Sequence, residues 1–131
     1  MTSLADDHSI LIVDDNPTNL EVLSEALSEA GFEVAVAIDG QSALEQVSYY
    51  PPSLILLDVM MPGMDGIETF ERLKRHKFLH SIPVIFLTAK AQSIQRRQLS
   101  QIGACGIISK PFNSLQLAGQ ISKLLGWQLH S

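Results

Sequence analysis

Five short apolar runs recur along the chain at fairly even spacing: Ile10 to Val13, Val34 to Ala37, Leu54 to Leu57, Val84 to Leu87 and Cys105 to Ile108. Stretches of helical character lie between them. This alternation predicts a parallel sheet with helices on both faces. Leu54-Ile55-Leu56-Leu57 is apolar at every position, as expected of a strand covered on both sides. Glu33-Val34-Ala35-Val36-Ala37 is less bulky and suits an edge strand better than a central one.

The helix signals agree. Asn16 is placed to cap the first helix, with Pro17 at its first position, where a missing N–H costs nothing. Leu20, Leu23, Leu27 and Ala30 then share one face, and Gly31 ends the helix. Asp65-Gly66-Ile67-Glu68 reads as a capping box opening a third helix, and Asn113-Ser114-Leu115-Gln116 as another opening the last. That last helix is expected to bury Leu117, Ile121 and Leu124, with Ala118 and Leu125 alongside. The helix near residues 92–102 is marked only by Ile94, Leu99 and Ile102. Five strands and five helices in this order predict a doubly wound α/β fold. Ligands of such sheets bind outside the carboxyl ends of the strands, where the strand order switches.

Polar residues stand directly after the apolar runs. Asp14 and Asp15 follow the first, Asp58 the third, Thr88 the fourth and Lys110 the fifth. Singly, each has a plain structural reading. An Asp after a strand often only forms a turn or a cap, and a lone Lys is usually a surface residue. Together they would gather three acids, a hydroxyl and an amine at one edge of a parallel sheet. Like unit charges about 4 Å apart repel by roughly 4 kcal/mol in a partly screened site. Lys110 offsets part of that, and a divalent cation offsets more. Hard oxygen ligands favour Mg2+ or Ca2+, and Mg2+ typically combines one or two carboxylates with waters and a phosphate oxygen.

Composition narrows the partners. The 131 residues suit one domain, and the 46% hydrophobic content supports a core. A net charge of −5 is a poor match for nucleic acid or anionic lipid. The basic residues at Arg72, Lys74, Arg75 and Lys77, and at Arg96 and Arg97, read as solvated helix faces. The single Cys105 excludes an intrachain disulfide and, lying in an apolar stretch, is expected in the core. The N-terminus lacks the basic start and apolar run of a signal peptide, and no apolar run is long enough to span a bilayer. A cytoplasmic setting fits.

Four segments, taken as a set, carry a specific resemblance: Ile12-Val13-Asp14-Asp15-Asn16, Leu57-Asp58-Val59-Met60-Met61-Pro62-Gly63-Met64-Asp65-Gly66, Leu87-Thr88-Ala89 and Ser109-Lys110-Pro111-Phe112. With them the chain resembles the receiver domain of two-component response regulators, of which the chemotaxis regulator is the minimal form. The likeness runs from about Ser9 to Leu125, within one domain over 1–131 and with no output domain. It implies a flavodoxin-like sheet with strand order 2-1-3-4-5.

The resemblance also implies roles. Asp58 is the phosphoacceptor. Asp15 and Asp58 bind Mg2+ directly with the backbone carbonyl of Met60, and Asp14 acts through a metal-bound water. Lys110 and Thr88 contact phosphoryl oxygens, Ala89 joins the phosphate-binding and switch set, and Lys110-Pro111 is a cis peptide. The donor is a phosphohistidine on a histidine kinase or a histidine phosphotransfer protein. The downstream target is not specified. The output is a shift of the last two strands and the fourth helix. An aromatic often stands three positions before the lysine in this family, and here that position is Ile107. An aromatic switch there is absent. Met60 and Lys90 flank the expected path of attacking water. A homodimer through the fourth and fifth helices is left open, since no charge pattern demands it.

Other classes fit less well. A phosphatase with an Asp nucleophile, of the haloacid-dehalogenase type, carries a second Asp two residues on as acid/base. Met60 stands there and cannot move a proton. The first turn reads Asp14-Asp15-Asn16-Pro17 instead of a Gly-rich phosphate loop, and G-x-S-x-G is missing. His76 and His80 have helix-ligand spacing but read as solvated surface. The expectation is a phosphoacceptor rather than an enzyme, with only self-catalysed acceptance and slow autodephosphorylation.

Overall fold

The computed structural model describes residues 8–61, 65–77, 79–88, 97–99, 101–110 and 112–127. The elements run β1 (Ser9–Val13), α1 (Pro17–Glu29), β2 (Glu33–Ala37), α2 (Gly40–Tyr49), β3 (Leu54–Asp58), α3 (Gly66–Arg75) and β4 (Val84–Thr88). A fourth helix, α4, is described at 97–99 and 101. β5 (Gly106–Ser109) and α5 (Ser114–Leu125) complete the chain. All strand pairings are parallel, in the order β2-β1-β3-β4-β5. The less bulky second run is an edge strand, as its composition predicts.

Strand side chains alternate between faces, so each central strand feeds two cores. Ile10, Ile12, Leu54, Leu56, Ile85 and Leu87 pack with Leu20, Leu23 and Leu27 of α1 and with Leu117 and Ile121 of α5. Leu11, Val13, Ile55, Leu57, Val84 and Phe86 pack with Val47 of α2, Phe70 and Leu73 of α3, and Leu99 of α4. Burial on both sides explains why β3 and β4 have no exposed position.

The helix ends are fixed by local chemistry. The Asn16 side chain accepts from the Thr18 and Asn19 N–H groups, at 2.9 and 3.2 Å. Asp65 accepts from the Glu68 N–H at 2.8 Å, and Asn113 from the Leu115 N–H at 2.9 Å. Such caps contribute about 1 kcal/mol each. Gly31 takes φ 99° after α1. This lets the Gly31 and Phe32 N–H groups bond back to the Ser28 and Leu27 carbonyls, closing the helix with a left-handed residue. At the N-terminal side of the sheet the His8 ring stacks on Trp127, with centroids 3.8 Å apart. Trp127 in turn touches Phe32.

Two apolar expectations are corrected. Leu124 is 43% exposed. It lies over Gly106, where an added Cβ would come within 2.6 Å of Leu124 Cδ1. α5 therefore overhangs the margin of the sheet, and its last turn covers an edge strand with one side in solvent. Cys105 is exposed rather than core. It precedes β5, which begins at Gly106, and it is tied in by its backbone N–H to the Val84 carbonyl at 2.9 Å. On the fourth helix Leu99 is buried, Ile102 in the turn that follows it is exposed, and Ile94 lies outside the described residues. Among the described residues no helix is long and apolar enough to cross a membrane.

Candidate functional site

The parallel register brings the strand ends together. Asp58 is the last residue of β3 and stands opposite Leu87, and Thr88 closes β4 opposite Ser109. Lys110 follows β5, and its backbone N–H donates to the Thr88 carbonyl at 2.8 Å. Asp14 follows β1 and donates its N–H to the Ala37 carbonyl of β2 at 3.2 Å. The sheet ladder thus continues one residue into the site from both of these strands.

Asp14 is wholly buried, and each of its oxygens is occupied. Oδ1 accepts from the Asn16 N–H at 2.9 Å. Oδ2 accepts from Lys110 Nζ at 3.0 Å and from the Asn19 amide at 3.3 Å. Asp58 is almost as buried. Its Oδ1 accepts from the Met60 N–H at 3.1 Å, and its Oδ2 pairs with Lys110 Nζ at 3.2 Å. Asp15 is exposed at the mouth. Carboxylate oxygens of Asp14, Asp15 and Asp58 lie within 4.8 Å of one another. Thr88 is buried beside them, while Met60 is 59% exposed. Ile107 is half-buried, packs on the α2–α3 side of the sheet and stands opposite Phe86.

Electrostatics follow from that crowding. Burial raises the Asp58 carboxyl from 3.8 to about 6, and the Asp14 charge adds to the rise against the opposing pull of Lys110 and the Met60 N–H. Burial pushes the Lys110 ammonium down, but the hydrogen bond to Asp14 and the charges of Asp58 and Asp14 outweigh it, so its pKa is raised. Among the described residues, three carboxylates thus gather around one ammonium, which pairs with two of them. An all-oxygen donor set with surplus negative charge fits a hard divalent cation of the Mg2+ class.

The backbone approach to Asp58 depends on one glycine. The Gly66 N–H donates to the Val59 carbonyl at 3.1 Å. An added Cβ at Gly66 would overlap the Asp58 carbonyl oxygen and lie 2.9 Å from Val59 Cα. The start of α3 therefore rests directly on the loop that carries Asp58. Residue pattern alone does not assign Asn19 or Gly66 to the site. The signal for Asn19 was its position one turn after Asn16, on the helix that leaves the Asp pair. Ala89, Lys90 and Pro111, and with Pro111 the expected cis peptide, lie outside the described residues. His76 and His80 belong to the end of α3 and its following turn, away from this edge.

Comparison with known proteins places this geometry. Residues 10–122 match the response regulator receiver domain family. The chain is 40% identical over 117 residues to the phosphate regulon transcriptional regulatory protein PhoB of Pseudomonas aeruginosa, covering 89% of this chain and 51% of that one. It is 37% identical over 116 residues to the hybrid signal transduction histidine kinase D of Dictyostelium discoideum, covering 88% of this chain and 7% of that one. The chain thus spans about half, or far less, of the length of these relatives. Among solved structures, the chemotaxis protein CheY4 of Vibrio cholerae superposes with a TM-score of 0.84 at 29% identity, covering 89% of this chain and 98% of that one. An acid cluster and one lysine at the carboxyl end of a 2-1-3-4-5 sheet agree with that match, and the chain belongs to the receiver domain family of two-component response regulators, whose members are phosphoacceptor signalling modules.

Proposed function

We propose that Asp58 is the phosphoacceptor of this receiver and that Asp14, Asp15 and Asp58 hold its Mg2+. The observation that carries the reading is the position of Lys110 Nζ, 3.0 Å from Asp14 Oδ2 and 3.2 Å from Asp58 Oδ2. One half-buried ammonium bridges the acceptor carboxylate and its acidic neighbour. It sits where the non-bridging oxygens of a phosphoryl group on Asp58 would arrive.

The chemistry is a phosphoryl transfer, in which positioning and charge neutralisation do most of the work. An Asp58 oxygen attacks phosphorus, the P–N bond of a phosphohistidine breaks, and the imidazole leaves with the bonding pair. The donor is a histidine kinase or a histidine phosphotransfer protein. Lys110 moves its charge from the carboxylates to a phosphoryl oxygen, Thr88 donates its hydroxyl to another, and Ala89 belongs to the same phosphate-binding and switch set. The Met60 carbonyl, with Asp15 and Asp58, supplies metal ligands, and Asp14 acts through a bound water. When bound, the cation neutralises charge on the transferring group.

Turnover by water is slow in this reading. Met60, two residues beyond the acceptor, is exposed and has no proton to exchange with an attacking water. The signal leaves through β4 and β5. Thr88 is drawn toward the phosphoryl group, and Lys110, bonded through its N–H to the Thr88 carbonyl, moves with it. Ile107, opposite Phe86, passes the shift on by aliphatic packing instead of by an aromatic swing.

The test uses phosphoramidate with MgCl2 and intact mass. Wild type gains one phosphoryl group and Asp58→Asn gains none. An unmodified wild type, or equal labelling of the Asn variant, overturns the assignment.

A further inference from the structure

We propose that Asn19 is a positioning residue for phosphoryl acceptance: its amide holds the buried Asp14 carboxylate in place for the metal, and keeps holding it when Lys110 turns to the incoming phosphoryl group. The proposal rests on the assignment of Asp58 as acceptor and of Asp14 to the metal cluster.

The argument starts from Asp14 Oδ2, which is shared. It accepts from Lys110 Nζ at 3.0 Å and from Asn19 Nδ2 at 3.3 Å. The other oxygen, Oδ1, is held by the Asn16 N–H. The carboxylate has no solvent exposure, so a lost partner is not replaced by bulk water. A buried charged oxygen left without a donor costs far more than an exposed one. Lys110 is also bonded to Asp58 Oδ2 at 3.2 Å. A phosphoryl group on Asp58 draws the ammonium toward its own oxygens and away from Asp14. Asn19 is the second donor on Asp14 Oδ2, and it stays.

Asn19 is itself fixed. It occupies the third position of α1, and its backbone N–H is bonded to the Asn16 side chain at 3.2 Å. Its amide therefore moves with the cap of α1 and not with β5. The result is a division of labour on one oxygen: a mobile cation and an immobile neutral donor. A neutral donor suits the second role, because another cation would compete for the phosphoryl group and another acid would repel it. Among the described residues, the Asn19 amide bonds to Asp14 and to no group that reacts, so it acts through Asp14.

Outer partners of metal-site carboxylates typically contribute tenfold or more to metal affinity. Asn19→Ala is the test variant, and Ala is a good helix former at this position. Titration calorimetry with MgCl2 alone on the unphosphorylated protein is expected to give about tenfold weaker binding. The MgCl2 concentration for half-maximal phosphoramidate labelling is expected to rise in parallel. The metal-free melting temperature stays close to wild type, and Asn19→Gln, which keeps the amide donor, recovers most of the loss. If wild type takes up no phosphoryl group on Asp58, the underlying assignment falls and that of Asn19 with it. If wild type is labelled and Asn19→Ala keeps wild-type Mg2+ affinity, the role of Asn19 alone is overturned. The same follows if its affinity falls only in proportion to a lowered metal-free stability.

Discussion

Lys110 Nζ lies 3.2 Å from Asp58 Oδ2, and it is the ammonium set against a three-carboxylate cluster. Removing one partner of a buried pair leaves the other charge uncompensated. Lys110→Met keeps most of the aliphatic volume and deletes the charge. The expected loss of stability at neutral pH is about 2 kcal/mol, below the range for a fully buried pair, because the Lys110 side chain is 18% exposed. Urea denaturation checks this. Added MgCl2 recovers part of the loss, since a divalent charge replaces the ammonium, and phosphoramidate labelling stays low.

Asp58 gives the metal-free protein a distinctive pH response. Its carboxyl is raised from 3.8 to about 6 by burial and by Asp14, so the folded state binds this proton more tightly than the unfolded state. The destabilising charge is fully present above the folded value and gone below the unfolded one. Stability from this group therefore rises as pH falls through 6. Between neutral pH and pH 5 the gain is about 1 kcal/mol by linkage. Melting temperatures of wild type and Asp58→Asn across that window, without divalent cation, give the comparison. Wild type gains relative to the variant on acidification, and saturating MgCl2 flattens the difference.

Two glycines give opposite outcomes for the same change. Gly66→Ala forces a Cβ into the Asp58 carbonyl and against Val59. Backbone must shift, at a cost of about 2 kcal/mol or more, and labelling of Asp58 falls with it. Gly119 lies exposed in the middle of α5, with nothing within 4 Å of an added Cβ. Gly119→Ala raises stability by about 1 kcal/mol and leaves labelling unchanged. Melting curves and intact-mass labelling of both variants check the pair.

Much of this architecture is legible in sequence because the strands announce themselves. An apolar run covered on both faces has sharp polar boundaries, so Asp14, Asp58, Thr88 and Lys110 stand out as strand-end residues from the pattern alone. The edges are less legible. Period tells which side of α5 is apolar, but not that α5 overhangs the sheet at Leu124. Cys105 looks like core for the same reason, since its apolar neighbours belong to the margin and not to the centre. Asn19 is harder still. Its meaning depends on which oxygen of a buried carboxylate its amide reaches, and no spacing rule carries that information.

The stack of His8 on Trp127 has a consequence for modularity. His8 precedes β1 and Trp127 follows α5, so the chain enters and leaves this unit at neighbouring points. Both points lie at the amino ends of the strands, about 17 Å of strand length from the edge that bears Asp58. Both points therefore stand at the end of the sheet opposite the mouth of the site. Attachment there leaves the edge that bears Asp58 clear of the junctions. That geometry is in keeping with matching segments that occupy 51% of one relative and 7% of another.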